Sequence, residues 1–254
     1  MKMALIQMNM DWENKKANLA KTEKFFRKAA RESCDVLVFP EMFNTGFSMN
    51  IPSVAEEERG ETFSFLSRLA KEYRINVIAG FAVKAAAQGK VYNQAFAFAR
   101  NGSVAAVHSK IHPFCLAGED QFFNAGKTPV IFRIEGISAS IFICYDLRFP
   151  EIFRNVAKKV SLIFVIANWP ASRKDHWTTL LKARAIENQC FVVGVNRTGK
   201  DGNGISYPGA SHVFDPLGKV ICKGTAKEQF IACQIDPGIV SEVRTRFPFL
   251  EDMK

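Results

Sequence analysis

Three short stretches each place a reactive side chain directly after an apolar run. They are Val36-Leu37-Val38-Phe39-Pro40-Glu41, Val107-His108-Ser109-Lys110 and Ile141-Phe142-Ile143-Cys144-Tyr145-Asp146. A thiol titrates near about pH 8.5 and attacks a carbonyl as the thiolate, so it needs a proton acceptor or a cation beside it. Glu41 and Lys110 could supply both to Cys144. The chemistry open to such a trio is acyl transfer. The thiol attacks, the carboxylate takes its proton and returns it to the leaving group, and the lysine with the backbone N–H of Tyr145 meets the oxyanion. Each residue alone has a plainer explanation: a buried inert thiol, a solvated carboxylate, a surface lysine. Their common position at strand ends, where loops build sites, could bring the three together.

The elements that must hold these residues follow from hydrophobic period. Strand-like runs at 4–8, 36–39 and 77–83 alternate with helical-period segments at 14–31 and 62–73. Pro40 ends strand pairing and presents Glu41 just beyond it. Runs at 92–99 and 104–108 flank Asn101-Gly102, two residues that accept positive φ, which predicts an antiparallel hairpin. After Gly126, runs at 130–134 and 138–143 flank Glu135-Gly136, and Pro150 suits the first turn of a helix. The alternation resumes with a strand at 160–167, a helix at 174–188 and a strand at 191–195. An antiparallel stretch follows through Val213, a turn at 216–218, Val220 and residues 230–235. Two βα-rich halves, each carrying hairpins, can pack sheet on sheet with helices outside, which predicts an α/β fold in four layers, an α-β-β-α sandwich. No linker or repeat divides the chain, so one domain is expected over 1–254.

Composition narrows the function classes. With 254 residues and 48% hydrophobic content the chain is globular in type. Lys+Arg of 34 against Asp+Glu of 25 gives +9, but basic residues are scattered among acidic ones with no run of four like charges, which argues against nucleic acid as a partner. A strand-like run follows Met1 almost at once, without the pattern of a secretory leader. The apolar run Leu162–Ala167 falls far short of the roughly 20 residues that cross a bilayer, so a cytoplasmic protein with no membrane contact is expected. The cysteines at 34, 115, 144, 190, 222 and 233 are widely spaced without a C-x-x-C pair and read as reduced thiols. His108 and His112 straddle a strand end before Pro113, not one helix face, so no metal is expected, and acyl transfer by side chains needs no organic cofactor.

Phe39-Pro40-Glu41, the lysine in His108-Ser109-Lys110-Ile111-His112, and Cys144-Tyr145-Asp146-Leu147-Arg148-Phe149-Pro150-Glu151 resemble, in order and spacing, the three signature segments of the nitrilase superfamily of carbon-nitrogen hydrolases. The resemblance runs from the first strand to about Ile235 and includes Ala183-Arg184-Ala185-Ile186-Glu187-Asn188-Gln189. It implies a triad of Glu41, Lys110 and Cys144, and a second glutamate between the lysine and the cysteine, upstream of a glycine. Glu119, before Gly126, fits that place and would orient Lys110 or the attacking water; its plainer role is to cap a turn with Asp120. The resemblance also implies a homodimer or larger homo-oligomer.

Within the superfamily, Glu41-Met42-Phe43, Thr45-Gly46-Phe47 and Ala167-Asn168-Trp169-Pro170 look most like the omega-amidase group, which hydrolyses the terminal amide of 2-oxoglutaramate and 2-oxosuccinamate. Such a substrate carries a remote carboxylate, which needs a cationic partner when buried. Arg148 and Arg173 are the candidates, with Tyr145 beside the nucleophile and Phe43 and Trp169 walling the pocket. Arg148 could equally pair with Asp146 or Glu151. A carbamoylase, a true nitrilase or an amidase for deaminated glutathione would use the same triad. Two readings from other classes fit less well: a non-catalytic binding module has no need of the Glu, Lys and Cys together, and a thiol redox protein would want a resolving cysteine beside Cys144.

Overall fold

A computed structural model describes residues 1–85 and 90–253. Its first half runs β1 (Lys2–Gln7), α1 (Lys15–Arg31), β2 (Val36–Val38), α2 (Ile51–Val54), β3 (Glu56–Glu57), α3 (Glu61–Tyr73), β4 (Asn76–Ala85), β5 (Lys90–Phe98), β6 (Val104–Ser109) and α4 (Glu119–Phe122). The second runs β7 (Ile131–Ile134), β8 (Ile137–Ile143), α5 (Pro150–Arg154), β9 (Leu162–Ala167), α6 (Lys174–Asn188), β10 (Phe191–Asn196), β11 (Thr198–Lys200), β12 (Ser206–Pro208), β13 (His212–Phe214), β14 (Val220–Lys223), β15 (Gln229–Gln234) and α7 (Gly238–Arg246).

One sheet has the order β15-β1-β2-β4-β5-β6, with β3 added to β4, and the other β14-β13-β10-β9-β8-β7. At the centre of each lie three parallel strands, β1-β2-β4 and β8-β9-β10, flanked on both sides by antiparallel neighbours. The parallel strands are apolar on both faces, as strands covered on both sides must be. Met3 and Leu5 of β1 join a core with Ile141 and Ile143 of β8 and Phe164 and Ile166 of β9, so this core lies between the sheets. The alternate residues Ala4 and Ile6 pack with Phe26 of α1 and Leu66 of α3, and Ile163 and Val165 pack with Phe153 of α5 and Trp177 of α6. The side-chain period of two therefore builds the predicted α-β-β-α sandwich. Burial of each large aliphatic side chain contributes roughly 1.5–3 kcal/mol.

The predicted elements are present, with ends shifted by a residue or two. Asn14 is the N-cap of α1, its side chain accepting from Ala17 N, and the strand predicted from 160 is paired from Leu162. The helix at Pro150 has only five residues. The sequence reading did not anticipate α7, which buries only Val240 and Val243 and so carries a weak apolar period. Among the described residues no helix is long and apolar enough to cross a membrane.

Candidate active site

The reactive residues emerge where strands of both sheets end. Glu41 follows β2, Lys110 follows β6 and Cys144 follows β8, and a further residue, Asn168, follows β9. Glycines allow the close approaches this needs. A Cβ on Gly80 of β4 would lie 2.7 Å from Ile166 Cδ1 and 3.1 Å from Glu41 Cα, and one on Gly126 would lie 2.1 Å from Ser109 O, where Gly126 N donates to Lys110 O at 2.7 Å.

Glu41, Lys110 and Glu119 are buried together. Lys110 Nζ donates to Glu41 Oε1 at 2.9 Å, to Glu119 Oε2 at 2.7 Å and to Glu119 Oε1 at 3.1 Å. Burial alone would pull the ammonium pKa down; the facing charges of Glu119, Glu41 and Cys144 outweigh it and leave Lys110 held protonated above its ordinary value. Two residues that the sequence reading did not single out fix the carboxylates. Asn93 Nδ2 donates to Glu41 Oε1 at 2.7 Å and Glu119 Oε1 at 3.0 Å, and Asn168 N donates to Glu41 Oε2 at 2.8 Å. Glu119 also accepts from Phe114 N at 2.6 Å, so it braces the lysine and the loop beyond it and caps no turn with Asp120.

Cys144 sits at φ 46°, a left-handed conformation costing roughly 1–2 kcal/mol for a residue with a Cβ. This sharp elbow opens a short 3-10 turn, Cys144–Arg148, whose first N–H groups, Tyr145 among them, have no partner within the turn. Asp146 clamps the elbow. Its Oδ2 accepts from Ile143 N at 3.1 Å and contacts His108 Nε2 at 3.2 Å; its Oδ1 accepts from His112 N at 2.9 Å and Ile111 N at 3.2 Å. These bonds tie the Cys144 turn to the strand that leads into Lys110. Burial pushes the Asp146 carboxyl up, but the histidine and backbone donors prevail and hold it down at about 2.

The thiol behaves oppositely. Burial, then the negative charge of Glu41, raise the Cys144 pKa well above the ordinary 9.0; Lys110 opposes them, and Glu119 adds to the rise. One cation between two carboxylates already leaves a net negative charge, so a standing thiolate would add a second. Cys144 is therefore a neutral thiol at rest. Measured by difference ultraviolet absorbance against Cys144→Ser, no thiolate step should appear up to pH 9.0. A step at neutral pH would contradict this electrostatic balance.

A solvent-open cleft of about 510 Å³ reaches Cys144, Glu41 and Lys110 and is lined also by Tyr145, Arg148, Trp169 and Arg173. Arg148 lies 4.9 Å over the Trp169 ring and 3.2 Å from His176 Nδ1, pairing with neither Asp146 nor Glu151, and Arg173 lies 5.4 Å over Phe114. Phe43 is a correction to the sequence reading. Met42 takes φ 43°, which turns the chain so that the Phe43 ring packs 5.2 Å from Phe39 in the outer core, away from the cleft. Phe47 lines the cleft in its place, with Tyr207, whose hydroxyl donates to Asp201 at 2.8 Å. Among the described residues no group of three or more His, Cys, Asp or Glu is placed to hold a metal ion.

A family model described as carbon-nitrogen hydrolase matches residues 2–245. A 2-oxoglutaramate amidase of Bacillus subtilis (strain 168) is 34% identical over 251 residues, spanning 98% of this chain and 96% of that protein. Omega-amidase YafV of Escherichia coli (strain K12) is 34% identical over 253 residues, spanning 99% and 96%. Among solved structures, XC1258 from Xanthomonas campestris, a CN-hydrolase superfamily protein with an arsenic adduct in the active site, matches with a TM-score of 0.94 and 30% identity over 100% of this chain and 97% of that one.

Proposed function

The chain belongs to the carbon-nitrogen hydrolase family and is an amidase, and on that premise we propose that it releases ammonia from a small linear mono-amide, with 2-oxoglutaramate and 2-oxosuccinamate as its substrates, through a thioester on Cys144. The observation that carries the substrate reading is the pair Arg148 and Arg173, which line the same cleft as Cys144 and stack on Trp169 and Phe114 without an ion pair to a carboxylate among the described residues. A remote carboxylate on the substrate supplies the missing partner. The relatives named for 2-oxoglutaramate and omega-amide hydrolysis support the same choice.

In this mechanism the Cys144 sulfur bonds to the amide carbonyl carbon as Glu41 takes the thiol proton. The oxyanion so formed is met by Lys110 Nζ and the Tyr145 N–H. As the C–N bond breaks, Glu41 returns the proton to the nitrogen and ammonia leaves. Water then adds to the thioester with Glu41 again the acceptor, and the acid departs as the thiol regains its proton. Glu119 holds Lys110 throughout. Keeping the thiol neutral until attack suits this sequence, because the proton that Glu41 takes up is still on the sulfur when the substrate arrives.

The test compares kcat/KM for 2-oxoglutaramate, 2-oxosuccinamate and butyramide. A paired carboxylate should favour the oxo acids by about 2 kcal/mol or more, roughly thirtyfold. Equal values would remove the carboxylate site, and a marked preference for a nitrile would move the protein to another branch of the family.

A further inference from the structure

We propose that Asn93 is a positioning residue for this reaction, one that holds Glu41 and Glu119 on either side of Lys110 and frees a lysine proton for the oxyanion; the inference rests on the thioester reading above. Asn93 lies on β5, is 1% exposed and does not line the cleft. It touches three of the four residues of the cluster. The side-chain Nδ2 donates to Glu41 Oε1 and Glu119 Oε1 at 2.7 and 3.0 Å, and the backbone carbonyl accepts from Lys110 N at 2.9 Å.

A primary amide has two N–H donors and an ammonium three. The amide spends both on the two carboxylates. The ammonium has contacts for all three, to Glu41 Oε1, Glu119 Oε1 and Glu119 Oε2, which leaves none for a developing oxyanion. Glu41 Oε1 and Glu119 Oε1 are the two oxygens that Lys110 and Asn93 share. Each therefore keeps a donor when Lys110 turns one N–H into the cleft. Without Asn93 that turn would bare a carboxylate oxygen in a buried site and increase the repulsion between the two carboxylates. The arrangement has a cost that packing does not explain: with Nδ2 facing the acids, Asn93 Oδ1 is buried with no partner among the described residues. A leucine would fill similar space without that orphan.

The test uses Asn93→Ala and Asn93→Ser, assayed for ammonia release from 2-oxoglutaramate, or from butyramide if that is the better substrate. For Asn93→Ala, kcat should fall by roughly 10- to 100-fold with KM within about twofold, because the loss lies in transition-state stabilisation and not in binding. The acid limb of the kcat profile should move to higher pH. Glu41, which faces Lys110, Glu119 and Cys144 as its charged and titratable neighbours, loses a donor that favours its charged form. Asn93→Ser keeps one donor and should lie between; where Asn93→Ala does not fold, it carries the same readouts. The proposal is overturned if activity falls only with the folded fraction seen in thermal unfolding, or if the acid limb stays in place and Ser is no better than Ala. Glu41→Gln separates the two failures, since wild-type acylation by that variant would sink the mechanism itself whatever Asn93 does.

Discussion

Cys144→Ala should remain folded and lose ammonia release by roughly a thousandfold or more, because removing a covalent nucleophile leaves only substrate binding and oxyanion stabilisation. The substitution removes one partly buried sulfur, and the elbow that carries it is held by bonds to Asp146, not by the thiol. Alanine at Cys34, Cys115, Cys190, Cys222 or Cys233 should leave activity near wild type in any variant that folds, since none of these lines the cleft. Mass spectrometry of enzyme quenched during turnover should find an acyl adduct on wild type and none on Cys144→Ala. Retention of more than a few per cent of activity by folded Cys144→Ala would remove the nucleophile from the mechanism.

Lys110→Met should damage stability and activity together. The lysine is 1% exposed and is paired with two carboxylates that are themselves fully buried, so its removal leaves both acids without their cation. Breaking a buried pair from one side costs about 3–5 kcal/mol, and two orphaned acids put this site at the upper end. Asn93 and Asn168 N would still hydrogen-bond the acids, which limits the loss. Urea unfolding should therefore show a large fall in stability at neutral pH. The deficit should narrow as pH falls and the acids can shed their charge by taking up protons. A variant as stable as wild type at pH 7, or a deficit that grows in acid, would mean that the cluster is not electrostatically bound in this way.

Cys144 and Glu41 stood out as candidates because each follows an apolar strand, and strand ends are where a sheet delivers side chains to a site; the resemblance to a family is what grouped them. Lys110 closes β6 in the same way, but a surface lysine was its plainer reading until the resemblance placed it with the other two. Glu119 has no such local signature. It lies in a loop and a four-residue helix, and only the resemblance to a family pointed to it. Asn93 was not legible at all, and Asn168 entered only within the segment Ala167-Asn168-Trp169-Pro170 and without its contact to Glu41, because each acts on a residue far away in the chain, 52 and 127 positions from Glu41 respectively. An asparagine in a strand carries no mark of what its amide will meet. Phe43 failed for a local reason: the left-handed Met42 breaks the alternation from which the facing of the next side chain would be read. The four layers were readable from alternation alone, since period-two burial against helices and against a second sheet uses the same residues that define the strands.

The two sheets contribute to the site unequally but jointly: Glu41, Asn93 and Lys110 come from the first, Cys144 and Asn168 from the second, and the core between the sheets sets their separation. This bears on how the chain acquires competence as it folds. A chain that has formed one sheet with its helices has made most of its local contacts, yet it holds either Glu41 and Lys110 without Cys144 or Cys144 without Glu41. The bond from Asn168 N to Glu41 closes across the interface and can form only when the halves dock. Turnover is therefore a property of the docked state, and during refolding it should return with the last long-range step, after secondary structure. No free half would act as a slow or promiscuous hydrolase while its partner is still unfolded.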